Sequence, residues 1–377
     1  MRDYVFNIIC PDWILTGRCN MRCKYCFEKE HPNQDMDEDL LYEWMSYNPM
    51  TTAFPLGGEP LLVIDKYNTV IDMIKKNPNI SESRKKQTLG KMKTLITNGT
   101  LIPQNVDKIK KHDLELQISV DGIKEAHDKN RVYANGKGTF DDIMKGIKCC
   151  VENNIEWSLH GAINKDTLPY FFETTKWFFE ILAKYKGIEH TVNYLKNNTF
   201  QIIFEEEWDD NDVDILIEQF SKVAEWIWNH EKLNAIQKRT FFDNFFFKTG
   251  GVCGAGTGLL ALNDKLEIFP CHRLIFGEEM NHKYQLGNVF EPENFDVDKI
   301  HIYNSFIQLG RRHKYMYSAV TQNDNYKDKE NLTWMMWCPA TNIEECDTPF
   351  FQPVKYNLMF TEINRAIKIL RMSYFGG

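Results

Sequence analysis

Cys19-Asn20-Met21-Arg22-Cys23-Lys24-Tyr25-Cys26 places three thiols within eight residues at the spacing C-x3-C-x2-C. The stretch follows a strand-like run at residues 13–16, so it reads as the loop leaving a first strand. No signal-peptide pattern precedes it, and closely spaced cysteines in a reducing compartment read as metal ligands before disulfides. Three is an informative number of thiolates. A four-iron, four-sulfur cluster held by three protein ligands keeps one iron open to another molecule. Zinc is the competing reading of these residues; it would want a fourth Cys or His, and the next candidate in the chain is His31.

On either side of this loop, strand-like and helix-like segments alternate. Strands are expected at residues 13–16, 51–56, 94–97, 115–120 and 156–163, with a weaker one at 188–194. A helix is expected over 140–153, where Phe140, Ile143, Met144, Ile147 and Val151 recur at helical spacing. Such alternation predicts an α/β fold with a parallel sheet and outer helices, and about six units make a partial (β/α)6 barrel of the TIM type. Beyond residue 196 the pattern changes. An amphipathic helix is expected over 210–232, with Val213, Leu216, Phe220, Val223 and Ile227 on its buried face. A Gly-rich stretch, 249–256, opens an irregular cysteine-bearing region that runs to about Pro349, and residues 354–371 read as a last helix. The expected domains are 1–235, 236–350 and a C-terminal helix over 351–377.

The chain has 377 residues, 43% hydrophobic and 26% charged, with a net charge of −8. That balance suits a globular protein and counts against a nucleic-acid partner bound through phosphates. No apolar run approaches the roughly 20 residues of a membrane helix, so no membrane partner is expected and the cytoplasm is the default location. Of ten cysteines, three lie at 19–26 and four beyond residue 250: Cys253, Cys271, Cys338 and Cys346. Cys10, Cys149 and Cys150 belong to neither group. Cys150 falls on the apolar face of the 140–153 helix, where free cysteine serves as a small hydrophobe.

With Tyr25 before its third cysteine, the opening stretch resembles the signature of the radical S-adenosylmethionine (SAM) superfamily. The resemblance continues in chain order through Leu56-Gly57-Gly58-Glu59-Pro60, Ile96-Thr97-Asn98-Gly99-Thr100 and Ile118-Ser119-Val120-Asp121-Gly122, each ending an expected strand. His127-Asp128, Arg131 and the run from Gly136 to Phe140 then follow as in the branch that modifies peptides and proteins. The resemblance implies a cluster on Cys19, Cys23 and Cys26. It also implies SAM held by Tyr25, Gly57, Gly58, Glu59, Asn98, Ser119, Asp121 and Arg131, with Glu59 taking the amino group. Each assignment has a physical reason. Glycines let backbone come close to a ligand, Glu59 can accept from an ammonium, and Ser119 and Arg131 offer donors to ribose and carboxylate. All would lie at the C-terminal ends of strands, where barrel active sites sit.

The later cysteines resemble the C-terminal SPASM extension, which holds auxiliary iron–sulfur clusters. Cys253-Gly254-Ala255-Gly256, Cys271-His272-Arg273, Leu286-Gly287-Asn288-Val289 and Trp337-Cys338-Pro339 carry the likeness. The chain departs from the family in lacking the central cysteine run, residues 318–336 containing none, and in having Leu266 where the family has Gly. A reduced, Twitch-like extension with one auxiliary four-iron cluster is therefore implied, on Cys253, Cys271, Cys338 and, by inference, Cys346, with an open fourth position or a structural zinc as alternatives.

The implied cofactors are SAM and two four-iron clusters. The implied activity is modification of a peptide or protein side chain: oxidation, or a thioether or carbon–carbon crosslink in a ribosomally made peptide. Formylglycine formation, as in anaerobic sulfatase maturation, is the alternative. That branch carries an aspartate base after the second auxiliary cysteine, and here His272 stands there, as a base or as a hydrogen-bond donor to the cluster. An electron donor such as flavodoxin or ferredoxin is implied as a partner. Only 18 residues precede Cys19, too few for the leader-binding domain with which many peptide maturases begin. A non-catalytic iron–sulfur or zinc-binding protein is the reading of another class, and Gly57, Gly58, Glu59, Ser119 and Arg131 speak against it.

Overall fold

The computed structural model describes residues 12–28, 30–47, 54–195, 199–203, 208–246, 260–275, 283–296, 298–299 and 354–376. They fall into two compact units, the first from 1–119, 131–158 and 254–305 and the second from 120–130, 159–253 and 306–377. Among the described residues no helix is long and apolar enough to cross a membrane.

The first unit is built on β1 (Asp12–Ile14), whose three residues are all buried. It pairs in parallel with β2 (Phe54–Leu56), Asp12 opposite Phe54 and Ile14 opposite Leu56. On its other side β1 pairs in parallel with β7 (Ala261–Leu262), which turns back antiparallel into β8 (Glu267–Phe269) and then β9 (Gly287–Asn288). Ile14, Ala261, Phe269 and Ile275 form one buried cluster with Leu56 against it, so the late segment shares a core with the first strand. The β7–β8 turn is closed by Asn263 Oδ1, which accepts from the backbone N–H groups of Lys265 and Glu267. Leu266, standing where the resembled family has Gly, takes a left-handed φ of 58°. That conformation costs a non-glycine residue about 1–2 kcal/mol. Complete burial of the Leu266 side chain offsets it.

Two further strands, β3 (Thr94–Thr97) and β4 (Glu115–Ser119), pair in parallel with Thr94 opposite Glu115 and Thr97 opposite Ile118. Leu95, Thr97, Leu116 and Ile118 are buried on one face, and Thr94, Ile96, Glu115, Gln117 and Ser119 are more open on the other. Helices α1 (Glu38–Tyr47), α2 (Ile64–Lys76), α3 (Glu82–Lys91) and α4 (Val106–Lys110) lie between these strands in the chain.

The second unit contains α5 (Lys124–Asn130). The first unit's α6 (Phe140–Glu152) buries Ile143, Gly146, Ile147 and Cys150, whereas Val151 is exposed. The buried stripe is thus rotated by about one position from the expected one: Cys150 is buried as expected, and Val151 is not. In the second unit the end of β5 (Trp157–Ile163) pairs in parallel with β6 (Phe200–Ile202), Gly161 opposite Phe200. Its core is aromatic. Phe171 and Phe178 of α7 (Phe171–Lys186) meet Phe200, and Phe171 also meets Phe220 of α9 (Asp210–Asn229) and Phe245 of α10 (Ala235–Phe246). A capping box between Asp209 and Asp212 starts α9, and its five expected core residues are all buried.

One expected strand is a helix. Residues 188–194 form α8 (Ile188–Tyr194), which starts at Gly187 with φ 86°. Ile188, Val192 and Leu195 stand at i, i+4 and i+7, and Val192 and Leu195 are buried. The last helix, α11 (Val354–Phe375), sets Phe375 against Trp228 and Phe242.

Candidate functional site

The cysteine loop leaves β1 through Leu15 and Thr16 and is held before it reaches Cys19. Leu15 N–H donates to Leu56 O, Gly17 N–H to Gln34 O, and Met36 N–H to Leu15 O. Asp35 accepts from Thr16 Oγ1 at 2.7 Å and from both the Nε and an Nη of Arg18, at 2.8 and 2.5 Å. Burial pushes the Asp35 carboxyl up, but the Arg18 guanidinium and Thr16 hydroxyl outweigh it and hold the group below its usual range. A carboxyl lowered by folding stabilises the protein above its unfolded pKa and loses that contribution as pH falls through its folded value. Asp35→Asn should therefore cost about 1 kcal/mol at pH 7, a modest figure because Arg18 is partly exposed. In urea melts the variant and the unaltered protein should converge as the pH drops below the carboxylate range. A constant gap at all pH values would contradict this account.

Cys19, Cys23 and Cys26 are half-buried, and none of them forms a disulfide. Met21 N–H donates to Cys19 Sγ at 3.4 Å and Asn98 Nδ2 donates to it at 3.9 Å. Burial pushes the Cys19 thiol up to about 11, with the Glu59 carboxylate and Cys26 adding to the rise. Burial also raises Cys26, against the Glu28 N–H and the charges of Arg131 and Arg22. Among the described residues, no three His, Cys, Asp or Glu side chains already stand together as a metal-binding group. The donor set itself, three thiols on one tethered loop, fits an iron–sulfur cluster with an open iron.

Two other motifs clamp this loop. Gly58 N–H donates to Thr16 O at 2.8 Å and Glu59 N–H to Arg18 O at 2.9 Å, so the Gly-Gly-Glu backbone zips onto the residues before Cys19. A Cβ at Gly58 would lie 2.3 Å from Arg18 O, and one at Gly57, where φ is 138°, 2.5 Å from Thr16 O. From the other side, Arg22 N–H donates to Val132 O at 2.7 Å, Met21 bridges Tyr133, and the Arg131 guanidinium lies over the Tyr25 ring at 5.5 Å. The loop is held largely by backbone contacts.

Glu59 is fully buried. Its Oε1 accepts from Leu61 N–H at 3.0 Å and Thr97 Oγ1 at 2.7 Å, and its Oε2 from Asn98 N–H at 2.7 Å. Burial raises this carboxyl, with those three donors opposing the rise. Glu59 thus ties the end of β2 to the end of β3. Asn98 is similarly engaged, with its side chain on Asn20, Thr100 and Cys19. Ser119 ends β4 on its more open face. In the second unit, Asp121 is fully buried, and its Oδ1 accepts from Ala162 N–H at 3.0 Å while its own N–H donates to His127 Nδ1.

Cys271 is buried and begins a short 3-10 turn, His272–Leu274. His272 Nδ1 is 2.7 Å from Asp12 Oδ2, and its ring lies 5.4 Å from that of Phe27, the residue after Cys26. Cys253, Cys338 and Cys346 lie outside the described residues, as does Cys10. Sequence reasoning missed Asp12, Asn20, Arg18, Asp35 and Thr100. The signal for Asp12 was a carboxylate at the head of an apolar strand; the other four carried none beyond nearness to a motif.

Residues 13–178 match the radical SAM superfamily. Among curated relatives, an uncharacterised protein of Methanocaldococcus jannaschii is 32% identical over 176 residues, covering 45% of this chain and 58% of its own length. The cysteine-type anaerobic sulfatase-maturating enzyme of Clostridium novyi is 32% identical over 43% of this chain and 46% of its own length. The chain thus spans about half the length of these two relatives. The serine-type enzyme of Bacteroides thetaiotaomicron is 24% identical over 72% of this chain and 70% of its own length. A solved structure of anSMEcpe with bound AdoMet and a peptide superposes with a TM-score of 0.64 at 17% identity, covering 96% of this chain and 99% of the other. At that identity the likeness shows the fold alone, a mixed α/β architecture with parallel strands. Motif, fold and family match converge on one statement: residues 13–178 of this chain are a radical SAM superfamily domain.

Proposed function

We propose that this chain is a radical SAM enzyme that modifies a side chain of a peptide or protein. The observation that carries the reading is the Cys19/Cys23/Cys26 loop, clamped on one side by Gly58 and Glu59 and on the other by Val132 and Tyr133. A four-iron cluster on these thiols, when bound, supplies the electron that splits SAM into methionine and a 5′-deoxyadenosyl radical. Tyr25, Gly57, Gly58, Ser119 and Arg131 are the residues we assign to direct contact with SAM. Glu59 and Asn98, buried and bonded within the first unit, and Asp121, buried in the second, are the other residues we assign to SAM binding.

Cys271, with Cys253, Cys338 and Cys346, is assigned to one auxiliary cluster, and we read residues 236–350 as the extension that carries it. His272, held at Nδ1 by Asp12, presents Nε2 as the group to take a substrate proton. A flavodoxin or ferredoxin supplies electrons, in the cytoplasm. Sulfatase maturation is the second reading, favoured by the two maturases among the similar proteins.

The test uses the full chain, reconstituted and reduced anaerobically, with SAM and sulfatase-type peptides presenting Cys or Ser. An aldehyde product by mass spectrometry selects sulfatase maturation. SAM consumption without aldehyde leaves the wider reading, and no SAM consumption overturns both. Loss of Cys253 and Cys271 together should leave 5′-deoxyadenosine release in place while modified peptide disappears. If the double variant still makes product, the auxiliary cluster has no part in the reaction.

A further inference from the structure

Asn98 directly follows β3 and is 7% exposed, and every polar atom of its side chain is bonded within the chain. Its Nδ2 donates to Asn20 Oδ1 at 2.8 Å and points its other hydrogen at Cys19 Sγ, 3.9 Å away. Its Oδ1 accepts from Thr100 N–H at 3.0 Å and from Thr100 Oγ1 at 2.7 Å. The ring of contacts closes through Asn20 Nδ2, which donates to Thr100 Oγ1 at 2.9 Å. Asn98 N–H is in turn fixed by the buried Glu59 carboxylate. Asn20 occupies one of the three positions between Cys19 and Cys23, so the network ties the cysteine loop to the end of β3.

We propose that Asn98 is a positioning residue that donates a hydrogen bond to the Cys19 thiolate and thereby sets how readily the cluster accepts an electron. The inference rests on the reading of Cys19 as a cluster ligand. Three observations carry it. Asn98's amide orientation is fixed by the two donors on Oδ1, because Thr100 N–H can only donate. The second Nδ2 hydrogen then has Cys19 Sγ as its acceptor. Low exposure keeps water from substituting for it. When one electron passes from a reductant to the cluster, negative charge rises on the cluster and its thiolates. A donor aimed at a ligand sulfur stabilises that reduced form and raises the midpoint potential. Removing it lowers the potential, and reduction needs a stronger donor.

The experiment is an anaerobic redox titration of the reconstituted full chain, following the reduced-cluster electron paramagnetic resonance signal that changes when SAM is added. If the unaltered protein has no such signal, the functional reading fails. If it has one, the variants test this inference alone. Asn98→Leu keeps the branched shape of Asn, at a larger volume, and removes the donor; its iron content should match the unaltered protein while its midpoint falls. Thr100→Val keeps the backbone N–H on Asn98 Oδ1 but removes the hydroxyl that also donates to it and that accepts from Asn20 Nδ2, so it loosens the amide without freeing it and should lower the midpoint by a smaller amount. An unchanged or raised midpoint in an iron-loaded Asn98→Leu overturns the proposal. If Asn98→Leu does not load iron, Thr100→Val decides alone, a fall supporting the proposal and an unchanged value overturning it. Failure of both variants to load also overturns it, because the network would then serve only to build the loop.

Discussion

Replacing Cys19, Cys23 and Cys26 together by Ala should remove all release of methionine and 5′-deoxyadenosine from SAM. It should also take away half of about eight irons, four per cluster. The protein should still fold, because apart from two long contacts to Cys19 Sγ the contacts described for this loop do not pass through the thiols. Gly58 N–H to Thr16 O, Glu59 N–H to Arg18 O and Arg22 N–H to Val132 O are backbone bonds, and the Arg18–Asp35 pair involves no cysteine. The melting temperature of the iron-free variant should therefore stay near that of the iron-free unaltered protein. Iron analysis, a thermal melt and chromatography of the SAM products separate the three effects. A variant that still cleaves SAM would show that these cysteines do not hold the reacting cluster.

Gly58→Val should be the most damaging single change in the site. A Cβ there would lie 2.3 Å from Arg18 O, 2.7 Å from Arg18 C and 2.9 Å from Gly17 O, all backbone atoms that cannot rotate away. The loop would have to move off the Gly-Gly-Glu turn and lose the Glu59 N–H bond to Arg18 O. A cost of roughly 3 kcal/mol follows from overpacking of this kind. Iron loading should fall with it, because Cys19 is the next residue along. Gly136→Ala is the contrast: it has φ of 82° but nothing within 4 Å of the added atom. Only the backbone penalty applies, about 1 kcal/mol, and iron loading should be kept. Equal losses in the two variants would mean that the close approach at Gly58 is unimportant.

Much of the fold was legible because each signal was local. The 94–97 strand has the expected limits, and Trp13, Val213 and Phe220 are buried where an apolar strand and a helical stripe put them. Residues 188–194 went the other way because Ile188, Val192 and Leu195 satisfy a helical period as well as a strand-like run, and Gly187 restarts the helix. The rotated face of α6 has a similar cause. Cys150 and Val151 are adjacent and both apolar, and only packing decides which turns inward.

The site was legible in its thiols and glycines and illegible in its supports. Asp12 and His272 are 260 residues apart and meet only because β7 and β8 join the sheet beside β1. Asn20 sits where the C-x3-C spacing leaves the residue open, so nothing marked its bond to Asn98. Glu59 and Asn98 were found by resemblance, which gave their location but not that their polar atoms would be engaged within the chain.

The central claim is that the three-cysteine loop supports reductive cleavage of SAM. The most direct measurement is the release of methionine and 5′-deoxyadenosine when anaerobically reconstituted full-length protein is reduced in the presence of SAM. Equal amounts of the two products, absent without reductant, are the predicted result. A protein that carries its irons and binds SAM but releases neither product would contradict the account.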